Sequence, residues 1–197
     1  MYRLFYNHES VGDVLFVVID ALSYPDETKT VGDVTALYKE GKLIGVNLFR
    51  FGKTVKIKAN GMIVAPENVL IDVINDKLAE AGVEKLPYAK ESGYVIAKVE
   101  NAEEHPLDEH ARILTLNIGT KTITTVSRYQ NFGIGDYIVV AVDGCIKFDG
   151  TVFASRVVKN IPIEAEVCSS ADLHIGEESK AAFLPEEKTA GADFFLA

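Results

Sequence analysis

Two cysteines in 197 residues, Cys145 and Cys168, cannot stitch a fold together. They form no C-x-x-C pair, and two thiols hold zinc only with histidines at ligand spacing. The histidines, His8, His105, His110 and His174, show neither H-x-x-x-H nor H-E-x-x-H. The thiols are therefore expected to be buried and reduced, and neither metal nor cofactor is expected. No apolar run approaches the roughly 18 residues of a membrane span, and Val14 to Ile19 is of strand length. Met1 to Asn7 lacks the apolar core and small-residue cleavage site of a signal peptide, so cytoplasmic residence without a membrane partner is expected. No segment repeats at a fixed period, which excludes a solenoid. Gly133-Ile134-Gly135 precedes a strand and opens no helix, so it is not a phosphate loop. His105, followed by Pro106, has no nucleophile or second base at a recognisable spacing. A bend-fixing role fits it better than catalysis, and the chain carries no enzyme motif.

Cations are also scarce. Twenty Lys and Arg face 29 Asp and Glu, a net charge of −9, which opposes general affinity for phosphate polymers. The deficit is uneven. Residues 1–90 carry 11 basic and 12 acidic groups, residues 91–111 one and six, residues 112–163 six and three, and residues 164–197 two and eight. A weakly basic stretch thus lies inside an acidic frame.

Along the chain, Met1 to Asn7 and Val14 to Ile19 read as strands, and Ser23 to Thr28 as a loop. Val34 to Tyr38 and Leu43 to Phe49 form a hairpin through Lys39-Glu40-Gly41-Lys42. Thr54 to Lys58 alternates strictly, as an edge strand would. Pro66-Glu67-Asn68 opens a helix with Val69, Leu70, Val73, Ile74 and Leu78 on one face, and Gly82 at its C-terminal stop. The run Leu48-Phe49-Arg50-Phe51-Gly52-Lys53 interleaves aromatics and bases like a nucleic-acid platform, although a strand end burying its Phe residues is the commoner meaning. Gly93 to Glu100, Arg112 to Ile118, Lys121 to Ser127 and Tyr137 to Val142 read as strands, with a fifth at Val152 to Val158 or Ile161 to Ile163. Ser170-Ala171-Asp172-Leu173 fits one helical turn. The last apolar residues, Phe194-Phe195-Leu196, are expected to fold back on the body. Two domains follow: a small α+β domain over 1–90 and an all-β domain over 91–197, a closed five-stranded OB-fold barrel with an acidic tail.

Val99-Glu100-Asn101-Ala102-Glu103-Glu104-His105-Pro106 resembles the entry to the tRNA-binding OB domain of methionyl-tRNA synthetase, the phenylalanyl-tRNA synthetase β chain and small free-standing bacterial proteins. The correspondence continues through Asn117-Ile118-Gly119, Gly133-Ile134-Gly135-Asp136, Ile161-Pro162 and Cys168-Ser169-Ser170. Phe5-Tyr6-Asn7, Val11-Gly12-Asp13, Gly32-Asp33-Val34 and Gly45 to Phe49 resemble the uncharacterised domain that precedes this OB domain in YtpR-type proteins of Firmicutes. The resemblance implies non-catalytic binding of tRNA or another structured RNA, in a homodimer, with a translation-associated protein partner possible. The chain also departs from the family. Ser127-Arg128-Tyr129-Gln130-Asn131 stands where the family reads Cys-Gly-Ala-x-Asn, and Glu164 and Glu166 fall near the implied phosphate path, where like charge costs affinity. These departures leave an alternative, an OB fold that has lost most RNA contacts and docks proteins.

RNA recognition on such a fold needs cations along the backbone path and planar groups for bases. Arg128 on phosphate with Tyr129 against a base is one reading; a solvent-facing Arg beside a half-buried Tyr is the other. Asn131 either reads a base edge or holds its own turn. Lys147, Arg156 and Lys159 supply further positive charge. Ser169 and Ser170 either bond phosphate or cap the short helical turn.

Overall fold

The computed structural model describes residues 2–184 and 186–196. It is rich in antiparallel β-sheet, and its chain divides into two compact units, Met1–Lys90 and Glu91–Ala197.

Unit 1 contains β1 (Arg3–Tyr6), the short helix α1 (His8–Val11), β2 (Val14–Val18), β3 (Glu27–Val31), β4 (Val34–Lys39) and β5 (Lys42–Phe49). A 3-10 turn (Phe51–Lys53), β6 (Gly61–Ile63) and helix α2 (Asn68–Glu80) follow. The strands form one sheet in the order β3-β4-β5-β2-β1-β6. Alternation fixes its faces: Leu4, Leu15, Val17, Ala36, Val46 and Leu48 are all buried, and α2 covers that side with Ile71, Ile74 and Leu78. The expected helix face is shifted. At about 100° per residue, positions 71, 74 and 78 fall within one stripe while 69 lies opposite; Val69 is 69% exposed. Leu70 and Val73 are partly buried on the flanks, and Gly82, at φ 68°, follows the helix as expected. The β4–β5 hairpin also stands as expected, turning through Glu40 and Gly41 at φ 50° and 75°.

Two local expectations fail. Thr54 to Lys58 is not a strand, because the amides of Thr54 and Val55 both bond back to Phe51 O and carry the chain off the sheet. The place beside β1 goes to β6. Val55 and Ile57 still pack on the core as irregular chain. Conversely, the segment read as loop through Thr28 enters β3 at Glu27, an edge strand exposed along its whole length.

Unit 2 contains β7 (Tyr94–His105), β8 (Asp108–Asn117), β9 (Thr122–Ser127), β10 (Tyr137–Val142), β11 (Arg156–Val158), β12 (Ile161–Ile163), β13 (Ala165–Val167) and β14 (Phe183–Leu184). The main sheet runs β13-β10-β7-β8-β9, and β11-β12 is a separate two-stranded ribbon. β7 and β8 are longer than the sequence indicates. The Asn101 bend is a register shift within β7, and Pro106 and Leu107 form the turn beyond His105. No regular helix forms after Ser169: residues 170–174 make hydrogen-bonded turns, with Leu173 N donating to Ser169 O at 3.1 Å.

The ladders do not close the expected barrel. The free edge of β9 meets the β12–β13 junction through Glu164 N donating to Thr124 O at 2.9 Å, Thr124 N donating to Glu164 Oε2 at 2.8 Å and Thr125 Oγ1 donating to Ala165 O at 2.5 Å. Side chains thus take bonding positions that a closing ladder would need. The core of this sheet is Val99, Leu114, Leu116, Ile123, Ile138 and Val140. Cys145 and Cys168 are both buried. The C-terminal residues fold back: Phe194 N donates to Tyr94 O at 2.8 Å, and Phe195 packs edge-on against Tyr94 at 5.4 Å between centroids.

Candidate nucleic-acid interface

Register defines the outer face of β7–β8–β9. Leu114, Leu116, Ile123 and Thr125 point inward and are buried, so their neighbours point out. Three cross-strand rows result: Lys98–Asn117–Thr122, Asn101–Thr115–Thr124 and Glu103–Ile113–Val126. Residues 122, 124 and 126 share a parity with Arg128, which places Arg128 at the end of that face. Two acids lean on it: Glu100 accepts from Asn117 Nδ2 at 2.9 Å, and Glu103 from Asn101 Nδ2 at 2.7 Å.

The eight residues expected to bind RNA divide into three groups. Arg128 stands at the tip of the β7–β8 hairpin, 77% exposed at its side chain, donating to Asp108 Oδ2 from Nη2 at 2.8 Å and from Nε at 3.1 Å. That contact, helped by the His110 amide, holds the Asp108 carboxyl below its ordinary pKa.

Tyr129, Asn131, Ser169 and Ser170 are brought together, but largely in service of the fold. Tyr129 is half-buried, and burial raises its phenol pKa against the opposing hydrogen bond from Ser169. Asn131 Nδ2 donates to Ala181 O at 3.0 Å while its Oδ1 accepts from Ala181 N at 3.1 Å. Both ends of the amide are thereby used. Ser169 Oγ donates to Asp172 Oδ2 at 2.7 Å and accepts from Asp172 N at 3.0 Å, closing the turn that follows it. Ser170 N donates to Lys180 O at 3.3 Å.

Lys147, Arg156 and Lys159 separate further. Lys147 Nζ bonds both Glu166 oxygens, at 2.9 and 3.2 Å. Burial alone would lower its pKa, but the Glu166 contact outweighs it and the net shift is upward. Arg156 and Lys159 lie on the exposed β11–β12 ribbon, without an ion pair among the described residues. Lys159 and Asn160 make its turn with φ of 48° and 65°, the pair of positive values that a tight type I′ hairpin needs.

Sequence reasoning missed two residues here. Arg112 is a clamp: its Nη2 donates to Tyr129 O at 2.8 Å and Phe132 O at 3.1 Å, and its guanidinium lies 4.7 Å from the Phe132 ring centroid. Lys121 is exposed in the connection just before β9; it shares the parity of the buried Ile123 and Thr125, so the strand's alternation gave no signal for it.

The resemblance seen in the sequence is borne out by comparison with known proteins. The family described as "Domain of unknown function (DUF4479)" matches residues 24–86, inside unit 1. Over 179 residues the chain is 28% identical to the "Putative tRNA-binding protein YtpR" of Bacillus subtilis (strain 168), covering 87% of each. It is 27% identical over 136 residues to the phenylalanine--tRNA ligase beta subunit of Bacteroides thetaiotaomicron, covering 65% of this chain but 16% of that one. The crystal structure of a MetRS related protein from Pyrococcus horikoshii matches with a TM-score of 0.37 and 15% identity, over 50% of this chain and 85% of that one. Among the described residues no helix is long and apolar enough to cross a membrane.

Proposed function

We propose that this protein binds tRNA or a similarly structured RNA, without catalysis, through the outer face of β7–β9 and the β11–β12 ribbon of an OB-type domain. The observation that carries the reading is the set of exposed cations around a hydroxyl- and amide-bearing sheet. Lys121 and Arg128 bracket β9, and Arg156 and Lys159 stand on the ribbon whose far end bonds β9 through Glu164. Thr115, Thr122 and Thr124 between them offer small hydrogen-bonding groups to sugar hydroxyls and phosphates. The similarity to proteins named for tRNA binding or tRNA ligation supports the same reading. With few free cations the interaction is weak and salt-dependent, and a homodimer would raise its avidity. Cytoplasmic residence and a place in translation accord with an RNA ligand.

One observation favours a second reading, a protein-docking module: Val157 and Val158 on the same ribbon are 69% and 45% exposed. Fluorescence anisotropy with total tRNA across a salt series separates the two. RNA binding gives a linear fall of log affinity with log salt, and Arg128→Ala with Lys159→Ala should reduce the slope by roughly 0.7 to 0.9 per lost phosphate contact. No detectable binding at low salt overturns the RNA reading, and an unchanged slope in the double variant removes these two residues from the interface.

A further inference from the structure

Unit 1 holds a cleft of about 360 Å³ among the β3–β4 turn, the end of β5, the 3-10 turn and the last turn of α2. That volume is at the scale of small-molecule sites. Every residue lining it falls inside the segment 24–86 that defines a domain of unknown function. Among the lining residues Val34, Leu48 and Phe51 are buried, while Phe49 keeps 41% of its surface exposed. Arg50, Lys53 and Lys77 bring positive charge to it.

Arg50 is the telling residue. Its backbone lies at φ 54°, ψ 28°, a left-handed conformation that glycine takes freely and a residue with a Cβ takes at a cost. Such strain persists where the surroundings over-determine it, and it clusters at functional sites. Here two aspartates impose it. Asp13 accepts Arg50 N at its carbonyl, at 2.7 Å, and Gly52 N at its carboxylate, at 2.6 Å. Asp33 accepts Phe49 N at its carbonyl, at 2.8 Å, and grips the guanidinium with both carboxylate oxygens, through Nε at 3.0 Å and through Nη2. The Arg50 side chain remains 60% exposed, and Asp33 occupies only two of the guanidinium's five N–H donors. A glycine would make the same turn without strain, so the strain secures a pre-oriented cation beside the cleft.

Lys53, just beyond, is exposed and has no ion pair among the described residues. Lys77 is held by Glu80 at 2.8 Å on the opposite wall. The negative pole of α2 does not face the cleft bare, because the amides of Ala81, Gly82 and Val83 bond the carbonyls of its last turn. Apolar and aromatic lining beside two available cations suits a ligand with a planar, weakly polar body and an anionic group.

We propose that this cleft binds a nucleotide, its base against Phe49 and its phosphate between Arg50 and Lys53. The ligand is either a free mononucleotide or an unpaired nucleotide of an RNA strand; the chemistry of recognition is the same. The site does not depend on the RNA reading of unit 2, from which it shares no residue.

The test uses the full chain and 1H–15N spectra, titrated separately with AMP, adenosine, inorganic phosphate and a short single-stranded oligoribonucleotide. Saturable AMP shifts are expected at residues 31–34, 48–54 and 77–81, with adenosine roughly tenfold weaker because the charge-assisted bonds to phosphate are missing. Lys53→Ala and Arg50→Gly should each weaken AMP by about tenfold. Glycine suits the backbone angle, so the second variant stays folded, and an unchanged spectrum outside the turn verifies this. A tighter oligoribonucleotide giving the same shifts identifies an RNA strand as the source; AMP binding alone identifies a free nucleotide. The proposal is overturned by the absence of saturable AMP shifts at these residues up to millimolar ligand, or by both variants binding AMP as the unaltered chain does.

Discussion

Asn131→Ala separates the two meanings of the residue this chain keeps from the motif it resembles. Ala181 pairs with Ser169 as an isolated antiparallel bridge, and the ladder bonds there run from Ala182 N to Cys168 O and from Ser170 N to Lys180 O. The N–H and C=O of Ala181 point the other way, into the Asn131 amide, at 3.1 and 3.0 Å. Ala181 is 4% exposed, so truncating Asn131 leaves a buried donor and a buried acceptor together. Each unsatisfied group costs about 1–3 kcal/mol. A water entering the vacated space would recover part, since Asn131 itself reaches the surface, leaving about 2 kcal/mol net. For a unit of this size that lowers the unfolding midpoint by roughly 10 °C. Calorimetry on the full chain reads the midpoint, and amide exchange at Ala181 reads the local opening. Asn131→Asp should be no better at neutral pH, because its carboxylate can accept from Ala181 N but sets a second acceptor against Ala181 O. The reasoning is refuted if Asn131→Ala keeps its midpoint and its Ala181 protection while losing tRNA affinity.

Two further outcomes follow from named contacts. Arg128 and the His110 amide hold the folded Asp108 pKa below its unfolded value, so the stabilisation is present above about pH 4 and is lost as pH falls through the depressed folded value; an NMR titration should show the Asp108 midpoint rising in Arg128→Ala, and an unmoved midpoint would remove the Arg128 contact as its cause. In α2, Ile71→Ala should cost about 2–5 kcal/mol in denaturant unfolding while Val69→Ala, on the solvent side, should cost under about 0.5; equal costs would mean the helix is rotated from its observed setting.

The fold was legible where one periodicity had one explanation. Tyr137 to Val142 became β10 with the same bounds, and the hairpin through Glu40 and Gly41 formed as its turn chemistry requires. It was illegible where a pattern was ambiguous between partners. Val55 and Ile57 alternate with lysines and do turn inward, but alternation records only which side is buried, and whether a neighbouring strand is present depends on distant chain. β3 shows the converse. Glu27 to Val31 has no buried face to reveal it, and the strand exists because Val31 and Val34 flank a two-residue turn that zips it onto β4.

The site was legible as a list of residue types and not as an assignment of partners. Arg128, Lys147, Arg156 and Lys159 look equivalent in the sequence. Two of them are met by carboxylates from elsewhere, Asp108 twenty positions before Arg128 and Glu166 nineteen after Lys147. Those separations follow no local period, so only the strand register reveals the pairing. The same register supplies what the sequence withheld. The parity that buries Ile123 and Thr125 sends Thr122, Thr124, Val126 and Arg128 to one face, and it sets Thr115 and Asn117 beside them. Loss of a family motif at Ser127 to Asn131 therefore weighs less against binding than it does in one dimension. Asn131 and Tyr129 are tied to the chain's own backbone and side chains, whereas Lys121, Arg156 and Lys159, outside that motif, make no ion pair among the described residues. The loop's departures from the motif and the proposed RNA-binding face are compatible, because β9 builds that face whatever the loop beyond it has become.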